Sequence, residues 1–381
     1  MAKNGNGEGS IYEHKRNGKK VGYRGAYWIH TAEGPKRRYV SGKTREVVRR
    51  KLTKAMSDRD GGLVFDDENT SVGEFLDKWL SDCVRGSVRE STFDRDSYLI
   101  CVHLKPALGR IKLSKLSPVH LQGFYRDRLD AGLSASTVNK IHTVLHKALS
   151  QAVRWSLIPH NVTDAVKAPR PTPKEMCPLS SEEARRFLEA AHGNRLEALY
   201  ILAITTGMRR GELLGLKWSD VDLENASVSV RRTLTRTGNG KRVALGDTKT
   251  KKSRRSIRLT PRAVDALRGH LTHQMEDIER LGDLYMDQGL VFTTSTGGPI
   301  NPSNLRQRSL MPLLKRAGLP HIRFHDLRHT CATLLLLKNV HPKFVQELLG
   351  HATIAITLDT YSHVIPGMGD QTARAMQDVL T

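Results

Sequence analysis

The stretch Phe324-His325-Asp326-Leu327-Arg328-His329-Thr330 opens a strongly apolar run that continues to Leu334–Leu337, and its pattern predicts a helix. Residues three apart share a helix face, so His325 and Arg328 project together. Downstream, a helix beginning at Pro342 ends at Gly350, the residue type suited to the turn past a helix end, and His351 follows it. Tyr361 comes ten residues later, in Leu358-Asp359-Thr360-Tyr361-Ser362-His363. Upstream, Thr206-Gly207-Met208-Arg209-Arg210-Gly211-Glu212 lies between the apolar runs Leu199–Ile204 and Leu213–Leu216. Gly207 breaks the helix there, so an arginine can project from the turn with Glu212 within reach to hold it. Between these patterns, Asp247-Thr248-Lys249-Thr250-Lys251-Lys252-Ser253-Arg254-Arg255 separates two strand-like runs, as a basic hairpin does.

Each pattern alone has an ordinary explanation: a paired structural arginine, a chance His-x-x-Arg, a tyrosine near a C-terminus. Two arginines, two histidines, a lysine and a late tyrosine in this order point instead to phosphodiester exchange. That reaction needs a nucleophile, neutralisation of charge on the pentavalent phosphorus, and a proton for the leaving oxygen. Arginine forks match two non-bridging oxygens and stay charged. Lysine can protonate a leaving alkoxide, and histidine can accept a proton from a phenol at neutral pH. A tyrosyl phosphoester stores the bond energy, so resealing needs no ATP. No metal cluster is expected, because the acidic residues of a two-metal nuclease do not converge in these motifs. No cofactor is expected either.

The rest of the chain agrees. Its 61 Lys+Arg against 39 Asp+Glu leave +22, an excess that favours a polyanionic partner over a charge kept only for solubility. Four scattered cysteines form no CxxC pair, and the polar N-terminus and short apolar runs give no secretory or membrane-spanning signal; the cytosol is expected. At 381 residues two or three domains are expected. The first, 1–62, is strongly basic: residues 1–60 carry 8 Lys and 8 Arg against 6 acids. Strands are expected at Ser10–Lys15, Gly22–His30 and Lys36–Ser41, with turns at Asn17-Gly18 and Glu33-Gly34-Pro35. A helix then runs from Thr44 with Val48, Leu52 and Ala55 on one face. Its Arg24, Lys36, Arg37 and Arg38, among Tyr23, Tyr27 and Trp28, suit a strand ribbon reading a DNA groove better than a basic meander that binds nothing specific.

After a linker at Asp60–Thr70, a helical bundle is expected over 70–160. Its helices begin at Ser71, cover Ser91–Leu104 and Pro118–Asp130, and end with one from Ser134 striped by Val138, Ile141, Leu145, Leu149 and Val153. Lys140 and Lys147 there suit phosphate contacts, though a solvated helix face explains them as well. A proline-rich connection precedes the third domain, 175–381, which opens with capping-box spacing at Ser180 and Glu183 and is mostly helical with a small strand insert near Ala226–Leu259. The fold class is thus multidomain and mainly α, with a small strand-rich N-terminal domain.

The full set resembles the tyrosine recombinases of the phage integrase family, whose signature is Arg, Lys, His-x-x-Arg, a second His or Trp, and Tyr; Leu348-Leu349-Gly350-His351-Ala352-Thr353 is close to the family's usual form. The resemblance implies that Arg209 and Arg328 grip the scissile phosphate with Glu212 behind Arg209. It implies Lys249 as general acid (Lys251 and Lys252 being its neighbours), His325 as proton acceptor, His351 as a further phosphate donor, and Tyr361 as the nucleophile of a 3′-phosphotyrosyl link. It also implies a core-binding bundle and an arm-binding front domain, double-stranded DNA attachment sites as substrate, and a homotetramer on DNA. A host DNA-bending protein and an excisionase are implied accessories, and the nucleoid of a bacterial host the place of action. A tail helix over Asp370–Leu380 would pack on its own domain or a neighbouring protomer. Competing expectations are a resolvase or invertase, a type IB topoisomerase, a metal-dependent nuclease, and a DNA-binding regulator without catalysis.

Overall fold

Runs rich in Tyr, Trp, Val and Ile become an antiparallel sheet at the front of the chain, in the order β1 (Ser10–Arg16), β2 (Lys19–Thr31), β3 (Gly34–Gly42). The structure, a computed structural model, describes residues 9–16, 19–31, 34–60, 69–172, 176–237, 242–247, 254–361 and 376–380. The Asn17-Gly18 turn, the start of the Glu33-Gly34-Pro35 turn and most of the expected 60–70 linker lie outside the described residues. Gly34 and Pro35 open β3 and pair with Thr31 and His30, so this strand starts two residues earlier than expected. Helix α1 (Arg45–Asp60) buries Val48 and Leu52 against one sheet face, where Gly25 lets Val48 approach closely. Tyr12, Trp28 and Tyr39 are exposed.

The chain divides into two units, Met1–Pro173 and Lys174–Thr381. The first also holds α2 (Val72–Trp79), α3 (Glu90–Leu99), α4 (Lys105–Leu108), α5 (Pro118–Asp130) and α6 (Ala135–Arg154). Helix α2 starts where Ser71 and Glu74 exchange side-chain and backbone hydrogen bonds, and α6 where Ser134 Oγ accepts from Thr137 N–H. Wide turns at Leu80–Val84 and Ile100–Leu104 extend α2 and join α3 to α4. Phe75, Leu76, Ile100, Leu121, Ile141 and Leu145 lie in one apolar core.

The second unit is built around α8 (Glu197–Thr206), whose residues Ala198–Ile204 are all buried. It is apolar on every side, as a helix enclosed by others must be. It follows α7 (Ser181–Ala190), which starts at the Ser180–Glu183 capping box, and precedes α9 (Arg210–Leu214). Strands β4 (Val221–Asp222), β5 (Ser227–Val230), β6 (Arg232–Thr237), β7 (Arg242–Asp247) and β8 (Arg255–Arg258) come next, then α10 (Pro261–Leu281), α11 (Pro302–Asn304) and α12 (Met311–Arg316). They are followed by α13 (Phe324–Leu337), α14 (Pro342–Leu349) and α15 (Ile354–Tyr361). Of the expected Asp370–Leu380 helix, 376–380 is described and helical, with Met376, Val379 and Leu380 exposed. No helix among the described residues is long and apolar enough to cross a membrane.

One expectation is corrected. The strands flanking the lysine-rich stretch do not pair with each other as a hairpin: β7 pairs with β6, and β8 with β5. Val230 pairs with Arg255 and Arg232 with Asp247, so β5 and β6 form one outgoing line interrupted only at Arg231. The lysine-rich stretch therefore joins the end of β7 to the start of β8, two strands that pair with different partners. Alternating strand-like residues on both sides of the lysines look the same in either arrangement; only the pairing distinguishes them.

Gly207 ends α8 with φ +59°, and an added Cβ would lie 2.5 Å from Leu349 Cδ2, in the filled core below α14. Gly207→Ala therefore adds a left-handed penalty of about 1–2 kcal/mol to an overpacking cost of about 1–3 kcal/mol. The expected result is a clear fall in urea midpoint at unchanged slope; an unmoved midpoint would show that the core yields there.

Candidate active site

Arg209 is the first residue outside α9 and is tied to it by Glu212. Its backbone N–H donates to Glu212 Oε2 (2.9 Å) and its Nη1 to Oε1 (2.8 Å). The Glu212 side chain is 4% exposed, whereas that of Arg209 is 39% exposed, so the carboxylate is sealed and the guanidinium is open to a ligand. A second arginine, Arg255 on β8, binds the same carboxylate, its Nη2 donating to Oε2 at 3.0 Å. Burial works to raise the Glu212 pKa, but Arg255 and then Arg209 outweigh it and hold the carboxyl below its ordinary range.

Helix α14 supplies the matching surface. The last carbonyls of a helix lack internal partners and carry partial negative charge. Here three consecutive ones receive arginines from three different elements. Arg255 Nε donates to Leu348 O (2.7 Å), Arg328 Nη2 to Leu349 O (2.7 Å), and Arg209 Nη2 to Gly350 O (3.3 Å). Arg328 also donates from Nη1 to Gly207 O (2.7 Å), which links α13 to the end of α8. Gly350, at φ +65°, turns the chain so that this carbonyl row is followed at once by His351. Three guanidiniums around one carboxylate leave two positive charges in excess (3 − 1 = 2), a receptor for an anion such as a phosphodiester. Burial, then the charge of Arg209, lowers the Arg328 pKa to about 9, still a cation at neutral pH.

His325 and His351 are neutral at pH 7. Burial, then His329 and Arg328, pushes the His325 pKa to about 4; burial, then Arg328 and Arg209, does the same for His351. Nδ1 of His351 is hydrogen-bonded to Thr357 Oγ1 (2.9 Å), which orients its ring from α15. Tyr361, at the end of α15, is 1% exposed, clustered with Ala332, Leu336, Val345 and Leu349. Burial pushes its pKa up to about 12. Its hydroxyl is 2.8 Å from Nδ1 of His329, whose ring also meets that of His325 edge-on at 4.8 Å.

Arg209, Glu212, Arg328, His351 and Tyr361 thus meet on or beside α14 and α13, with His325 one turn before His329. Lys249, Lys251 and Lys252 lie outside the described residues. Arg24, Lys36, Arg37, Arg38, Lys140 and Lys147 belong to the other unit. Arg24 stacks on Tyr39 (4.5 Å to the ring centre) and Arg37 approaches both Trp28 and Tyr39 (5.9 and 5.7 Å). Arg38 is half-buried and Lys36 pairs with Ile29 across the sheet. Lys140 and Lys147 are exposed on α6, seven residues apart on one face, with Arg154 seven further on. Two side chains were not singled out by sequence: Arg255, hidden in a basic run, and His329, adjacent to Arg328 and so apparently on another face.

Residues 178–367 match the model of the phage integrase family, and residues 71–129 that of the phage integrase N-terminal SAM-like domain. A protein of Caldanaerobacter subterraneus described as tyrosine recombinase XerC-like is 32% identical over 383 residues, 96% of this chain and 97% of the relative. The ICEBs1 integrase of Bacillus subtilis is 26% identical, over 82% of this chain and 84% of that one. Among solved structures, the Tn1549 transposon integrase in complex with transposon right end DNA is similar with a TM-score of 0.67 and 22% identity, over 81% of this chain and 99% of that one. A lambda integrase tetramer bound to a Holliday junction is similar with a TM-score of 0.57 and 20% identity, over 92% and 94%.

Proposed function

Because this chain belongs to the phage integrase family and is a tyrosine recombinase, we propose that it recombines DNA attachment sites to integrate and excise a mobile element. In this reading Arg209 and Arg328 bind the non-bridging oxygens of the scissile phosphate, and Glu212 holds Arg209. His325 and His351 face the same phosphate, Lys249 protonates the leaving 5′ oxygen, and Tyr361 forms the 3′-phosphotyrosyl bond. The observation that carries it is the convergence of three arginines on consecutive carbonyls at the end of α14 beside a buried tyrosine. Preformed positive charge at the reacting centre lowers the barrier without reorganisation during the reaction.

Residues 1–62 serve as the arm-binding domain, 70–160 as the core-binding domain and 175–381 as the catalytic domain. The aromatic–arginine residues of the front sheet and the Lys140–Lys147 face contact DNA, and four protomers assemble on it. A host DNA-bending protein and an excisionase set direction, on the nucleoid. A resolvase- or invertase-type recombinase is the second reading, favoured by the XerC-like relative. The two part on one assay: with residues 1–62 removed, an integrase loses integration between two attachment sites, whereas a resolvase keeps its reaction on resident DNA.

A nicked suicide substrate tests the chemistry. The expected result is a covalent protein–DNA adduct that forms at the same rate in EDTA. Absence of an adduct on any attachment sequence from the DNA flanking the gene would defeat the proposal, and an EDTA-sensitive cleavage without adduct would point to a nuclease.

A further inference from the structure

The resemblance assigns the proton of the nucleophile to His325, but the geometry around Tyr361 points elsewhere. The hydroxyl of Tyr361 lies 2.8 Å from His329 Nδ1, within the range of a direct O–H···N hydrogen bond. His325 is four residues earlier on α13 and has no hydrogen bond to that hydroxyl among the described residues; its ring touches the ring of His329. A general base must reach the proton it removes, and His329 does.

We infer that His329, not His325, is the side chain that receives the phenolic proton of Tyr361 as the nucleophile attacks. This rests on the recombinase reading and deepens it. As the Tyr361 oxygen bonds to phosphorus, its proton passes to Nδ1 of His329, the P–O5′ bond breaks, and the 5′ oxygen takes its proton from the general acid. In the rejoining step the imidazolium returns the proton to the departing phenolic oxygen, by microscopic reversibility.

The surroundings fit both states. Before attack His329 must be neutral with Nδ1 bare, and burial holds its pKa below the usual histidine range. After transfer the imidazolium faces Asp326 on its own helix, which favours the charge, and Arg323 and Arg328, which oppose it. Across from it stand Tyr361 of α15 and His351, and His325 lies one turn before it. The phenol, held near a pKa of about 12, does not ionise by itself at neutral pH. A base already in contact, with Arg328 nearby to stabilise the oxyanion, supplies what burial withholds.

The test uses the full-length protein on the nicked substrate. His329→Asn keeps a polar atom near the position of Nδ1 but cannot take up a proton. Adduct formation is expected to fall by about 10²–10⁴-fold with DNA affinity unchanged, and to lose the decline of the native rate that sets in on acidification below the usual histidine range. Placing 2,3,5-trifluorotyrosine, a far more acidic phenol, at position 361 should then restore most of the rate. His325→Gln should not be rescued in this way. A His329→Asn rate within threefold of native, or a loss that the acidic phenol fails to repair, would overturn the inference. Should the variant misfold, 3-fluorotyrosine at 361 in the otherwise native chain gives a second readout. Its ¹⁹F signal should move as His329 protonates, with His325→Gln leaving that shift in place, and a signal blind to this titration would count against the contact. If the native protein itself forms no adduct, it is the recombinase reading that fails, not this refinement of it.

Discussion

Tyr361→Phe is expected to leave the protein folded and able to bind DNA while adduct formation and recombination fall by at least about 10⁴-fold, to below detection. The ring keeps its place among Ala332, Leu336, Val345 and Leu349, so the packing survives. Only the hydrogen bond to His329 is lost, worth about 0.5–1.5 kcal/mol. The separation of stability from activity is the informative part. A melting temperature near native with no adduct identifies the nucleophile. An undiminished adduct would mean that another side chain attacks, and His363 or Ser362 would have to be considered next.

The second large effect is on stability. Glu212→Gln keeps the shape of the side chain but removes the carboxylate that Arg209 and Arg255 share. Breaking a buried pair from one side costs about 3–5 kcal/mol because the other charge stays buried. Most of that falls on Arg255, whose side chain is 8% exposed; Arg209, at 39%, is screened by water. Because the folded state holds the Glu212 pKa below its ordinary value, its contribution is complete at neutral pH and lost as pH falls through the lowered folded value. Urea midpoints of native and variant protein should therefore differ most near pH 7 and converge in acid. A constant gap across that range would mean that Glu212 acts by packing rather than by charge.

Local signals carried much of this fold. Ser71, Ser134 and Ser180 are legible as helix starts because their hydrogen bonds reach only three residues ahead. Gly207 and Gly350 are legible as helix ends because each must turn left-handed. The Arg209–Glu212 pair spans three residues and was foreseeable for the same reason. Arg255 was not, since its partners Glu212 and Leu348 lie 43 and 93 residues away, and nothing within Ser253-Arg254-Arg255 marks one arginine as buried. His329 escaped because His-x-x-Arg spacing directs attention to residues 325 and 328, whereas contact with Tyr361 depends on how α15 returns to α13. The lysine-rich stretch looks like a hairpin in sequence because alternation reports strands and not their partners.

The sequence between Asp247 and Arg255 separates two kinds of length change in evolution. Both of its ends are zipped to a single outgoing line, at Asp247 against Arg232 and at Arg255 against Val230. Residues added between Thr237 and Arg242, the paired ends of β6 and β7, leave those two anchors where they are. A residue gained or lost between the anchors changes the length of chain that carries Lys249. Homologues are therefore free to diverge in length between Thr237 and Arg242, while the spacing from Asp247 to Arg255 is the quantity selection has to conserve.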